Sequence, residues 1–208
     1  MKTSNYIVIA FFTCIIGGIL VLFIAARGHE NDYHPGLMKM TLSSNDAAGL
    51  ANFSVIVAES NTQFTIEQSD SCRLTFYYPE KEDEPKNPYR ISGDTLYFLD
   101  TGNLVSVNLY LNVSKQLSSL TAKEGSRINL RNLNLDSLSV FAQDANVRIN
   151  NTHIENFLLQ ANNTRVDLYS NTINQISAKL ENNATLYISG NIDKVVIEKD
   201  STSNYSLH

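Results

Sequence analysis

The chain has 208 residues, enough for one domain plus a targeting or membrane segment, and its 43% hydrophobic content can fill a core. A formal net charge of -5 excludes a general attraction to nucleic acid or anionic lipid, which needs a clustered excess of Lys and Arg. Cys14 and Cys72 lie too far apart to make a disulfide framework, and no short-spaced Cys/His set marks a zinc site.

Residues 6–26, YIVIAFFTCIIGGILVLFIAA, carry no charge, and at 1.5 Å rise per residue their length matches the ~30 Å hydrocarbon core of a bilayer. A cleaved secretory signal has a shorter apolar region, about 7–15 residues, and a small-x-small site. Ile24-Ala25-Ala26-Arg27 fits such a site poorly, and Thr13 before Cys14 argues against lipoprotein processing. The expectation is a transmembrane signal anchor over residues 1–27. Lys2 on one side and Arg27 and Lys39 on the other give the positive-inside rule little to work with. A short cytoplasmic tail with the C-terminal part periplasmic or extracellular is expected, chiefly from the resemblance given below.

Residues 28–49 are polar, contain Pro35, Gly36, Ser43, Ser44, Asn45 and Asp46, and show no sustained periodicity, so they read as a linker. His29, Glu30, Asp32 and His34 are metal-binding types, but a solvated linker offers them no scaffold.

From Leu50 the hydrophobic pattern has period two, the signature of strands. Residues 50–116 give less regular strands: FSVIVA, QFTIEQ, then Cys72, Leu74, Phe76 and Tyr78 alternating with Arg73, Thr75 and Tyr77. A charged loop with Pro85 and Pro88 follows. Gly93-Asp94, between YRIS and TLYF, predicts a hairpin. Val105, Val107, Leu109, Leu111 and Val113 form the cleanest alternation in the chain.

Residues 117–208 repeat. Ile128, Val147 and Val166 recur every 19 residues, with Leu186 one residue later than that spacing, and Leu130, Ile149, Leu168 and Ile188 do the same two positions on. Leu135, Ile154, Ile173 and Ile192 keep the spacing throughout, as do Leu138, Phe157, Ile176 and Val195, and Val140, Leu159, Ala178 and Ile197. Gly125, Asp144, Asn163 and Asn182 share the period but hold only residue types suited to a left-handed turn. Apolar columns in phase with a turn column predict an all-β fold, a parallel β-helix or β-solenoid with about 19 residues per coil, in which each column stacks inside a tube. The Asn-rich breaks are expected to hydrogen-bond from coil to coil.

The order FSVIVAES at 53–60, TQFTIEQSD at 62–70, ISGDTLYF at 91–98 and LVSVNLYLNV at 104–113, followed by the repeats, resembles the DUF2807 family, the GIN domains, candidate autotransporter-adhesin head domains common in Bacteroidetes. The likeness covers about residues 50–200; Gly125-Ser126 is the nearest match to the family's Gly-Ser-Gly turns, from which Asp144-Ala145 and Asn163-Thr164 depart. The resemblance implies a right-handed winding, an exported or surface location, an adhesion-like role and no catalytic residues.

The outward columns Asn129, Arg148, Asp167, Tyr187 and Phe141, Gln160, Lys179, Glu198 place Arg148 beside Asp167 and Lys179 beside Glu198, which a solvated sheet face explains as well as a site does. No carboxylate cluster, no metal or cofactor set and no partner for His153 or His208 emerges, so no enzyme is expected. The candidate binding face consists of Tyr110, Arg148, Asp167, Tyr169 and Tyr187. The expected function is a non-catalytic, membrane-anchored cell-envelope protein presenting a rigid sheet to a protein or glycan. A self-assembling β-helical scaffold of the bactofilin kind is the alternative, with a carbohydrate-active enzyme behind it.

Overall fold

The computed structural model describes residues 36–43, 50, 53–59, 61–82, 88–99, 105–112 and 117–208. The expected membrane helix and the His-containing part of the linker lie outside the described residues. Every regular element described is a strand: β1 (Leu37–Ser43), β2 (Val55–Ala58), β3 (Gln63–Ser69), β4 (Arg73–Pro79), β5 (Tyr89–Ser92), β6 (Thr95–Phe98), β7 (Ser106–Asn112), β8 (Ser119–Lys123), β9 (Arg127–Arg131), β10 (Asn134–Gln143), β11 (Asn146–Asn150), β12 (His153–Asn162), β13 (Arg165–Glu181), β14 (Thr185–Lys199) and β15 (Asn204–Leu207).

The repeat region winds into a β-solenoid of about 19 residues per coil. Leu130 pairs with Ile149, and Ile149 with Leu168, each step advancing one coil. Three parallel ladders result. The front ladder runs β7-β3-β9-β11-β13-β14-β15, the rear ladder β6-β2-β8-β10-β12-β13-β14, and a side ladder joins the first halves of β10 and β12 to the middles of β13 and β14. Alternation puts Val147, Ile149, Ile154, Leu159, Val166 and Leu168 in the core with no exposed surface. Each column thus buries apolar area at ~25 cal/mol per Å² against the coils above and below.

Corners are set by short polar residues. The expected turn column adopts left-handed backbone angles, with φ of 79° at Gly125, 52° at Asp144, 45° at Asn163 and 54° at Asn182. A second column that the sequence reading missed turns the front-to-side corner: Asn132, Asn151 and Ser170 at φ of 54°, 49° and 51°. The side-to-rear corner needs no positive φ; two consecutive outward residues, such as Asp136-Ser137, interrupt the alternation there. Asn side chains link the coils as expected: Asn151 Nδ2 donates to Asn132 Oδ1 at 2.8 Å and Asn163 Nδ2 to Asp144 Oδ1 at 2.6 Å.

Asn171 is the buried member of the corner. Its Oδ1 accepts the Thr152 N–H at 2.9 Å and its Nδ2 donates to the Ile149 carbonyl at 2.8 Å, so one side chain satisfies two backbone groups of the preceding coil. Gly190 packs directly above it, where any Cβ would strike the Asn171 backbone.

The first strands depart from sequential winding. β2 lies between β6 and β8, and β3 between β7 and β9, so residues 55–69 form a coil sandwiched between residues 95–112 and residues 119–131. Beyond the β6/β7 coil the direction reverses: β4 is antiparallel to β7 and β5 to β6, closing that end of the tube. Large side chains, including Phe53, Phe64, Phe76 and Phe98, fill the core beneath this cap, with Phe64 and Phe98 ring centroids 4.8 Å apart. β1 continues the cap beside β4, which corrects the reading of residues 28–49 as linker throughout. The Lys39-containing segment was missed because only Met40 and Leu42 pack on the core, too few for a visible period.

At the other end, Ile192, Val195 and Ile197 are only partly buried, and Lys199 takes the position above Leu180 in the core column. Asp200 organises the last turn, accepting the N–H groups of Asn182 at 2.7 Å and Ser203 at 2.8 Å. Those donors, Asn182 foremost, hold its carboxyl well below the usual carboxylate range.

Three outcomes test this assignment of faces. Ile149→Asp or Leu168→Asp destabilises the domain by more than about 3 kcal/mol in chemical denaturation, while Arg148→Asn stays within about 0.5 kcal/mol of wild type. Asn171→Leu costs about 2–4 kcal/mol despite its added hydrophobicity, because it orphans two buried backbone groups. Asp200→Asn lowers the melting temperature at neutral pH, and the gap to wild type closes as pH falls below about 4, where the carboxylate starts to lose its lowered-pKa advantage.

Candidate functional site

The outward residues of the front ladder form three columns, each held at ~4.8 Å per strand by the ladder beneath. The central column reads Asn108, Thr65, Asn129, Arg148, Asp167, Tyr187 and Ser206. One neighbour reads Tyr110, Glu67, Arg131, Asn150 and Tyr169, and the other Gln63, Arg127, Asn146, Arg165, Thr185 and Asn204. All five expected residues therefore project from one face. Arg148, Asp167, Tyr169 and Tyr187 are neighbours, whereas Tyr110 sits four strands from Tyr169, with the Arg73 guanidinium 4.2 Å from its ring centroid.

Asp167 differs from its expected role as half of an exposed pair. Its side chain has no exposed surface, because long neighbours fold over it. Arg165 Nε donates to both carboxylate oxygens at 3.0 Å, and this bond holds the Arg165 guanidinium further into its charged form. Arg148 stands off at 3.7 Å with 53% of its side chain exposed. The sequence reading chose Arg148 as partner because it shares a column with Asp167; the stronger partner comes from two residues back on the same strand.

Beside this clamp lies an aromatic row. Tyr169 and Tyr187 ring centroids are 5.4 Å apart, and His208 stacks on Tyr187 at 4.7 Å, so His208 is not isolated. On the other side of Arg148 a depression of about 470 Å³ is lined by Gln63, Thr65, Arg127, Asn129, Asn146 and Arg148. Arg127, Arg131 and Arg165 were overlooked, although each immediately precedes or follows a core triplet in the repeat. On the rear face, Lys179 lies beside Glu198 on the neighbouring strand as expected, and its short ion pair, at 2.7 Å, is with Glu181 on its own strand. Among the described residues no group of three or more His, Cys, Asp or Glu is gathered to hold a metal ion. The chemistry this face offers is hydrogen bonding by amides and guanidinium groups next to a stacked aromatic platform.

No protein-family model matches the sequence, and no curated protein matches it. Among solved structures, the chain is similar to a candidate adhesin from Parabacteroides distasonis, with 13% identity over 81% of this chain and 96% of that one and a TM-score of 0.44. A candidate adhesin from Bacteroides fragilis has 14% identity over 84% and 98%, with a TM-score of 0.39. A candidate lipid-binding protein from Parabacteroides distasonis has 11% identity over 83% and 98%, with a TM-score of 0.35.

The clamp has a measurable consequence. Asp167→Asn lowers stability by about 1–2 kcal/mol, an amount limited by water reaching the exposed arginines, while Arg148→Gln changes it by less than about 0.5 kcal/mol. Equal losses in thermal melts of the two variants would contradict the assignment of Arg165 as principal partner.

Proposed function

We propose that the chain is a non-catalytic, GIN-like binding module of the cell envelope, wound right-handed, whose front face engages a protein or glycan. One observation carries this reading: seven parallel strands in fixed register array Asn, Arg and Tyr side chains over a continuous outward surface. Such a lattice holds its contact groups before a partner arrives, so binding loses little conformational entropy. The right-handed winding follows the general rule for parallel crossovers. A single-pass anchor over residues 1–27, with the solenoid periplasmic or extracellular, is supported by the uncharged run at 6–26.

The self-assembling scaffold fares worse on one point. End-to-end stacking needs two open ends, and the antiparallel strands β4 and β5 close one of them.

Two experiments test the proposal. A thiol reagent that cannot cross membranes should label Ser201→Cys, at an exposed turn, in spheroplasts. Labelling only after lysis would place the solenoid in the cytoplasm. Second, Tyr187→Ala should reduce capture of envelope ligands at least about tenfold, a loss of ~1.4 kcal/mol, while the rear-face Gln160→Ala leaves capture unchanged. Equal effects from the two faces would contradict the reading.

A further inference from the structure

Arginine is distributed unevenly. Four of the chain's seven arginines, Arg127, Arg131, Arg148 and Arg165, occupy outward positions on three adjacent strands of the front ladder. No lysine occupies β3, β9, β11 or residues 165–169. Against these four stand Glu67 and Asp167, so a chain of net charge -5 carries a locally positive face.

Two of the four are already engaged. Arg131 Nε lies 3.2 Å from Glu67, and Arg165 grips Asp167. Arg148 reaches Asp167 only at 3.7 Å, and Arg127 makes no ion pair among the described residues. Arg127 and Arg148 are the two that line the 470 Å³ depression, and the rest of its polar lining, Gln63, Thr65, Asn129 and Asn146, is neutral. The depression therefore offers one guanidinium group with no ion pair among the described residues and one held only loosely by Asp167, surrounded by groups that both donate and accept hydrogen bonds.

We infer that the front face binds an acidic polysaccharide of the polyuronate type, with a carboxylate held at Arg127 and Arg148. This rests on the reading of the front face as a binding surface. A planar carboxylate matches the guanidinium fork, which explains arginine in place of lysine. Ring hydroxyls need donors and acceptors together, which the three amides and Thr65 supply. Tyr187 stands two strands, ~9.6 Å, beyond Arg148, and with His208 against one face of its ring and Tyr169 beside it, it offers its hydroxyl and ring edge to a further sugar in the same polymer. A repeating ligand suits a repeating lattice. An acidic peptide would use the same arginines but carries few hydroxyls for the surrounding amides, and poly-glutamate tests for it.

The test is biolayer interferometry of the full chain on immobilised polygalacturonate, dextran sulfate, neutral dextran and poly-glutamate. Polygalacturonate should bind best, and binding should weaken as salt rises from about 50 to 300 mM because the contact is electrostatic and exposed. The double variant Arg127→Gln/Arg148→Gln should lose at least about tenfold in affinity, and the double Lys variant should recover only part of it. Lys123→Gln/Lys179→Gln on the rear should bind as wild type, with thermal melts confirming that all variants fold. Tighter binding to dextran sulfate or poly-glutamate, equal binding to neutral dextran, or no loss in the double Gln variant would overturn the polyuronate assignment. Binding to neutral dextran that is lost in Tyr187→Ala would overturn that assignment alone and leave the front-face reading standing. Absence of binding to all four ligands, together with no effect of Tyr187→Ala on envelope capture, would bring down both.

Discussion

The structure depends on one constraint: each coil must close after about 19 residues so that its side chains lie directly over those of the coil before. Parallel pairing fixes the register along each ladder, and a slip of one residue would turn every core side chain outward. No coil buries its own apolar side, so stability is shared between neighbours. The corner residues serve this closure. Asp144, Asn163 and Asn182 tolerate the left-handed turn and, through Asn163 and Asp144, bind the coil above to the coil below. Where one coil gains a residue, at Asn183, the next corner loses one, and Gly190 fits against Asn171 so that the side ladder returns to register.

The same constraint produces the front face. Because core residues alternate with outward ones, the stacking that aligns Val147 with Val166 also aligns Arg148 with Asp167. A surface built this way is rigid without a packed layer above it. Asp167 is buried on this outward face because long neighbouring side chains close over it, and its short pairing with Arg165 leaves Arg148 held only at 3.7 Å. The arrangement divides the face into an aromatic region and a guanidinium region along one column direction.

Much of this is legible in the sequence. Five apolar columns at one spacing specified the coil length, the core and the direction of stacking, and the turn column located one corner of three. The corner at Asn132, Asn151 and Ser170 carried the same spacing but was overlooked because Ser170 weakens the pattern of Asn. The first part was harder for a topological reason. Residues 55–69 lie next to residues 119–131, an offset of 64 residues as in the Glu67–Arg131 pair, so no local period exists to be found. The expected Gly93-Asp94 hairpin was visible because its signal is local; its role in closing the tube was not, since that depends on which strand β6 meets. In the site, columns could be read from spacing alone, and all five named residues share a face. Burial of Asp167 and its preference for Arg165 depend on side-chain reach, which periodicity does not encode.

The most direct test of the central constraint is to remove one coil. Deleting residues 146–164, one full period of 19 as spanned by the Ala145–Thr164 bond, places Arg165 where Asn146 was and restores every column. Deleting residues 148–165 removes one residue fewer and joins Val147 to Val166 inside a strand, where no corner can absorb the difference, so that Val166 and Leu168 turn outward and Asp167 turns into the core. The account predicts a cooperative thermal transition and a β-type circular dichroism spectrum for the first deletion, and loss of both for the second. Equivalent folding of the two proteins would show that stacked register does not hold this molecule together.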